Sequence, residues 1–340
     1  MKLAFDTLIL IYKLKFDKNP VLLIYKQTYK CYISLDKQYR NEVSAMMLYI
    51  KALGFSEYDS KEKAEDLVSQ VIENPTNRFI SNDKDGKVKV EYYKSYGKDF
   101  GLVVRGELDN KEELLIHTVL PFAKGRSMMD THEVDIAENS DAFNYSGYCE
   151  ERKSGTPVSF FLQNLVDYHE IEEENNVYIN GVKLSLFAVE GTVILPIEKD
   201  DEDETLEIAE QMIREELLSQ ARDGDEDAID ALEEEAAEAT KLLRQRLKKE
   251  DLLTILEGFF IPLGDQEDIY SILGTIVESK KLINRITKEH VWRVKLSCMN
   301  MTFDVFLNED DLVGKPMKGM RFKGTCWVHG LIDFEFTEEH

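Results

Sequence analysis

Apolar and polar positions alternate along much of this chain with one of two periods. Around Leu48, Ile50 and Leu53 the spacing is helical, with Gly54 placed to stop the turn. Asp59 or Ser60 then caps a second helix, whose Ala64, Leu67, Val68 and Val71 fall on one face before Pro75 ends it. From there the stretch turns β-rich. Residues 78–81, 87–93, 100–108 and 114–120 are rich in Val, Ile, Tyr and Phe and predict strands, separated by Lys84-Asp85-Gly86 and Gly97-Lys98-Asp99 turns. Thr131–Ala137 alternates, with His132, Val134 and Ile136 on one side. Thr156-Pro157 predicts a helix start running to about His169. Asn180-Gly181 predicts a hairpin turn between strands 177–179 and 182–189, Glu190-Gly191 the next turn, and 192–195 a further strand.

Residues 198–238 carry 19 Asp/Glu against three Lys/Arg and still keep helical periods. Leu206, Ala209, Ile213 and Leu217 form one stripe, and Ile229, Leu232, Ala236 and Leu243 another, with Asp223-Gly224-Asp225 between them. An acidic αα-hairpin with one apolar seam follows, its second helix ending in Lys241, Arg244, Arg246, Lys248 and Lys249, which suits the negative end of the helix dipole. After Asp268 strands return at 270–277, 290–299, 302–307 and 321–336, the last bent into two. That order predicts a small OB-like β-barrel. The fold class is therefore α+β: an N-terminal antiparallel sheet with helices over 46–197, the acidic hairpin over 198–250, and the barrel over 251–340.

Residues 1–45 differ in kind, holding eight Lys/Arg and four Asp/Glu in short apolar runs broken by Lys13, Lys15, Asp17, Lys18 and Pro20. Neither a secretory signal nor an Arg- and Ser-rich leader reads this way. The expectation is a mis-assigned start, with translation beginning at Met46 or Met47.

The formal net charge of −24 disfavours nucleic acid and anionic membranes, both bound through Lys and Arg. No run of about 18 apolar residues predicts a membrane span. Cys31, Cys149, Cys298 and Cys326 are too sparse for a disulfide framework, which fits a cytoplasmic protein with reduced thiols.

The pieces IKALGFS (50–56), EGTVILPI (190–197) and RFKGTCWVHGLIDF (321–334) resemble an uncharacterised family of anaerobic Gram-positive bacteria, domain-of-unknown-function family number thirty-eight eighty-one. The resemblance covers about Met46 to Phe334 and is weakest in the acidic helices. Its members start near the position of Met46, which supports the shortened start. It implies no active residue.

Chemistry is not signposted locally. His132 and Glu133, with Asp130 and Asp135, offer metal-ligating types, yet HEVDI is not the HExxH of a zincin, and the alternation groups His132 with apolar neighbours. Cys326 and His329 are three apart and face opposite sides of a strand. Neither GxSxG, GxxxxGK[ST] nor GxGxxG occurs, so no cofactor is indicated. Between Ile269 and Phe334 ten Lys/Arg face seven Asp/Glu, and Trp292, Arg293, Lys295, Arg321, Lys323 and Trp327 are the candidate ligand or nucleic-acid surface. Three functions follow: a non-enzymatic protein-interaction or regulatory module, an enzyme with its site at the domain junction, or a binder of single-stranded nucleic acid through the barrel. The first needs a protein partner; oligomeric state is left open.

Overall fold

Hydrogen-bonding of adjacent β-prone segments builds the first sheet. Strands β1 (Asn77–Asn82), β2 (Val88–Ser95), β3 (Phe100–Leu108) and β4 (Leu114–Ala123) pair antiparallel in chain order. Helix α1 (Lys61–Glu73) lies against β2 and β3; the Ser60 side chain caps it by accepting from the Lys63 N–H at 3.4 Å. Its inner face is Ala64, Leu67, Val68 and Val71, as the helical spacing predicts; Leu67 and Val71 each contribute about 1.5–3 kcal/mol by leaving water. The computed structural model describes residues 49–82, 88–108, 114–138, 144–171, 177–197, 201–263 and 266–336, all within one compact unit. Residues 1–45 and the Lys84-Asp85-Gly86 turn lie outside the described residues, as does the side chain of His132.

The second sheet takes its strands from both sides of the acidic insert. They are β5 (Met128–Met129), β6 (Thr131–Glu138), β7 (Tyr145–Glu151), β8 (Pro157–Leu162), β9 (Val177–Ile194), β10 (Phe259–Leu263), β11 (Gln266–Ile283), β12 (His290–Cys298), β13 (Met301–Asn308), β14 (Leu312–Val313) and β15 (Arg321–Phe336). The main path runs β10-β11-β12-β13-β9-β15-β8-β7-β6. Pairings return on themselves: β11 meets β15 over Ile269–Thr275 and β12 over Thr275–Ile283. Strands β11, β12, β13, β9 and β15 thus form a five-membered circuit, antiparallel except for β13 beside β9. Cys149, Val158, Phe160, Leu184, Leu186, Val294, Phe303, Val305, Phe322 and Val328 share its core.

This corrects the expected division at 197 and 251. Strand β9 precedes the insert yet sits between β13 and β15, and one apolar core joins residues from both sides. The architecture is mixed α+β, mostly sheet, with few helices. Helices α3 (Asp201–Arg222) and α4 (Glu226–Arg246) make the expected hairpin, inserted between two strands of one sheet. The run 321–336 is one strand rather than two; it keeps β9 along its length and exchanges β11 for β8 at His329.

Two predicted turns are absent for the same reason. Asn180-Gly181 and Glu190-Gly191 lie inside β9, and the register slips at both places against β15. A sixteen-residue partner strand offers ladder bonds along the whole run, so the turn formers become bulges. Their glycines permit close approach: a Cβ on Gly181 would stand 2.8 Å from Met128 Sδ, and one on Gly191 would stand 2.5 Å from the Phe322 ring. Pro157 opens strand β8, not a helix. Val158, Phe160 and Leu162 are fully buried between β7 and β15, and only α2 (Leu165–Ile171) is helical there.

Candidate functional site

The six residues expected to form a surface have different partners. Arg293, 2% exposed, donates Nη2 to Glu278 Oε1 at 3.1 Å and places Nε 3.8 Å from Asp304 Oδ1. Arg321 is buried; its Nε donates to the Leu195 carbonyl at 2.8 Å and its Nη1 to those of Leu253 and Leu256 at 2.7 and 2.9 Å. The buried Trp327 donates Nε1 to Asp268 Oδ2 at 2.7 Å and packs on Tyr49, Phe161 and His329. Trp292 is half-buried against the apolar core of the second sheet, Lys295 is half-buried, and Lys323 is exposed. Three of the six therefore spend their polar groups inside the protein.

Arg293 is buried because the first sheet and its turns cover that part of β12 and β13, with Asp99 3.9 Å from its Nη1. Phe100 packs on Phe306, and the Asp304 carboxylate accepts from the Arg126 N–H at 3.1 Å. Burial pushes the Asp304 carboxyl up, against the pull of Arg293. The sequence signal was apolar residues on both faces of one strand: Phe303, Val305 and Leu307 on one side of β13, Phe306 on the other.

Polar groups converge where the two sheets meet. Glu91 and Arg105 are opposite one another on β2 and β3, 3% and 1% exposed. Arg105 Nε donates to Glu91 Oε1 at 2.5 Å, and Nη2 to the carbonyls of Leu162 and Gln163 at 3.0 and 2.7 Å. The Tyr93 hydroxyl lies 3.0 Å from Glu91 Oε2, and the Arg105 guanidinium 5.3 Å from the Phe161 ring centre. Beside them His329, 1% exposed, is boxed by Phe161, Phe187 and Trp327, whose ring centres are 5.0, 4.8 and 4.2 Å away. Both imidazole nitrogens, Arg105 Nη1 and both amide atoms of Gln163 lack hydrogen-bond partners among the described residues. Burial, and then the Arg105 charge, hold the imidazole well below its ordinary pKa, so it is neutral. The cluster joins a compensated ion pair to a neutral base, drawn from four separated segments that no local motif connects.

The acidic hairpin is the other concentration of unusual surface. Asp225 Oδ1 caps α4 by accepting from Asp227 N at 2.9 Å, and Arg214 pairs with Glu235 across the helices at 2.6 Å. The turn end is moored to the β7–β8 loop: Arg222 Nη1 donates to the Arg152 carbonyl at 2.9 Å, and Lys153 lies 3.8 Å from Glu215. The expected seam is incomplete. Leu217 and Leu232 are half-buried, but Ile213 is 61% exposed, and Met212 and Leu242 are 67% and 60% exposed. Leu217 and Leu232 of the predicted stripes are the half-covered members, Ala228 is buried one turn before Leu232, and the half-exposed Arg214–Glu235 pair links the two helices.

Among the described residues no group of three His, Cys, Asp or Glu is placed to hold a metal, and no helix is long and apolar enough to cross a membrane. A family profile described as a domain of unknown function, from an E. rectale gene description, matches residues 50–330. No curated protein and no solved structure matches the chain.

Proposed function

The chain belongs to the DUF3881 family, and from its acidic hairpin we propose that it is a non-enzymatic protein-binding module. One observation carries this reading: Met212, Ile213 and Leu242 each leave at least 60% of their surface in water on an element otherwise dominated by Asp and Glu. Large apolar side chains left in water on one element suit a contact surface, and surrounding carboxylates select a partner of opposite charge. The fitting partner is a basic amphipathic segment of another protein.

We read the five-strand circuit as OB-like, with β9, which comes first in the chain, as the strand parallel to β13. OB folds bind oligonucleotides on the wall formed by their second and third strands. Here the corresponding wall is β12–β13, and its Arg293 is 2% exposed beneath the first sheet, which weighs against nucleic acid. An enzyme site at the sheet junction has less support than the hairpin, since Glu91 neutralises Arg105 and aromatic rings enclose His329.

A photo-crosslinking residue placed at 213 or 242 in the natively expressed chain tests the proposal. The expected result is a discrete protein adduct that Met212→Glu abolishes and that a crosslinker at exposed Lys323 does not give. Absence of an adduct at both hairpin sites, or the same adduct at Lys323, overturns it.

A further inference from the structure

A second surface feature stands apart from the hairpin. The loop joining β11 to β12, residues 284–289, is held rigidly by one buried side chain. Asn284, 0% exposed, donates Nδ2 to the carbonyls of Leu53 and Gly54 at 2.9 and 3.2 Å, and its Oδ1 accepts from Ile286 N and Thr287 N at 3.0 and 3.4 Å. Thr287 Oγ1 also donates to the Gly54 carbonyl, at 2.7 Å, and Arg285 N donates to the Tyr96 carbonyl, at 2.7 Å. The backbone of Arg285 is thereby fixed from two sides.

Beside this loop opens a pocket of about 450 Å³ lined by Lys98, Lys281, Leu282, Ile283, Arg285 and His290. Its lining holds three Lys/Arg in a molecule whose net charge is −24. Glu309 accounts for two of the basic groups, lying 2.6 Å from Lys281 Nζ and 3.2 Å from His290 Nδ1. Lys98 and Arg285 have no carboxylate partner among the described residues. Two exposed cations without counter-ions, one on the β2–β3 turn and one on the β11–β12 loop, line the same pocket and present positive potential to an anion there. Arginine's planar fork suits an oxyanion with several equivalent oxygens, and the lysine supplies a second point charge. Ile283, 48% exposed, adds an apolar patch to the wall. The volume falls in the range of small-molecule sites.

We propose that this pocket binds a small phosphate monoester, with the dianionic head between Lys98 and Arg285 and an apolar remainder against Ile283. Preorganisation by Asn284 lowers the ordering cost of the arginine, and the local positive potential gathers anions that the rest of the surface repels. The site is separate from the hairpin and does not depend on it.

Phenyl phosphate is the probe, titrated into the full chain by calorimetry and by amide chemical shifts, with inorganic phosphate and benzoate as parallel arms. The expected result is saturable shifts at Lys98 and Arg285 and an order of affinity phenyl phosphate, then phosphate, then benzoate. Lys98→Ala and Arg285→Ala should each weaken phenyl phosphate about tenfold, the scale of one charge-assisted hydrogen bond. Ile283→Ser should weaken phenyl phosphate and leave inorganic phosphate unchanged, while exposed Lys318→Ala alters neither. No saturable shift at these amides through about 10 mM, which would nearly fill a site of about 1 mM Kd, overturns the proposal. So does an equal loss with Lys318→Ala.

Discussion

Replacing Arg105 by methionine removes a guanidinium that is 1% exposed and leaves Glu91, 3% exposed, without its counter-charge. The Leu162 and Gln163 carbonyls lose a donor in the same step. Breaking a buried pair by deleting one member costs about 3–5 kcal/mol, because the survivor stays desolvated. Methionine fills most of the space, so little of that is cavity. With a urea slope of about 3 kcal/mol per molar, the midpoint falls by about 1 M or more. Trp327 packs on Phe161 beside this cluster, so its fluorescence follows the junction directly. The companion variant Glu91→Leu/Arg105→Met removes both charges together. Its cost should be smaller than that of Arg105→Met alone, since only neutral carbonyls lose a donor and the Tyr93 hydroxyl keeps the Gln163 carbonyl at 3.2 Å. A cost below about 1 kcal/mol for the single change, or a double variant equal to the sum of the two singles, refutes a coupled buried pair.

Three further outcomes are expected. His329 stays neutral in the folded chain, whereas the unfolded chain takes up the proton below about pH 6.5. Its contribution is intact above that pH and is lost as pH falls, at up to about 1.4 kcal/mol per unit; His329→Phe should flatten the stability profile between about pH 6.5 and 5 in denaturant titrations. Asn284→Ala strips both ends of a fully buried amide and should cost about 2–4 kcal/mol, with faster hydrogen exchange at Ile286 and Thr287; unchanged exchange there would contradict the loop description. Burial pushes the Cys149 and Cys298 thiols up to about 12, and raises Cys326 as well, so none should react with iodoacetamide at pH 8 until denaturant is added, as peptide mass mapping can read.

The elements legible in the sequence were those whose partners are close in the chain. Strands β1 to β4 follow one another with short connections, and the β-prone composition of 100–108 marks β3 over the range it occupies. Helix α1 announces itself through Ser60 and a four-residue apolar face. Strand β9 was misread because its partner lies far downstream: Val177 pairs with Phe336, and no local pattern encodes that match. Asn180-Gly181 carries the chemistry of a turn, and only the length of β15 turns it into a bulge. Likewise Pro157 suits a helix start or a strand start, and burial of Val158, Phe160 and Leu162 decides between them. At the junction, Arg105 did leave a trace, as a charge set directly after the apolar run FGLVV. Its meeting with His329 and Gln163 is a property of the assembled sheets, as is the covering of Arg293.

The position of β9 also bears on the order in which the protein can be made. Eighteen residues of strand leave the ribosome long before either neighbour, β13 or β15, has been synthesised. Until residue 321 and beyond emerge, the edge of that strand that β15 takes lacks its ladder, and open edges invite pairing with other chains. A nascent chain or fragment stopping short of β15 is therefore a sticky intermediate rather than a smaller working piece. The charge-rich helices made in the interval, with 19 acidic residues between 198 and 238, place a soluble, self-repelling segment beside it during that wait.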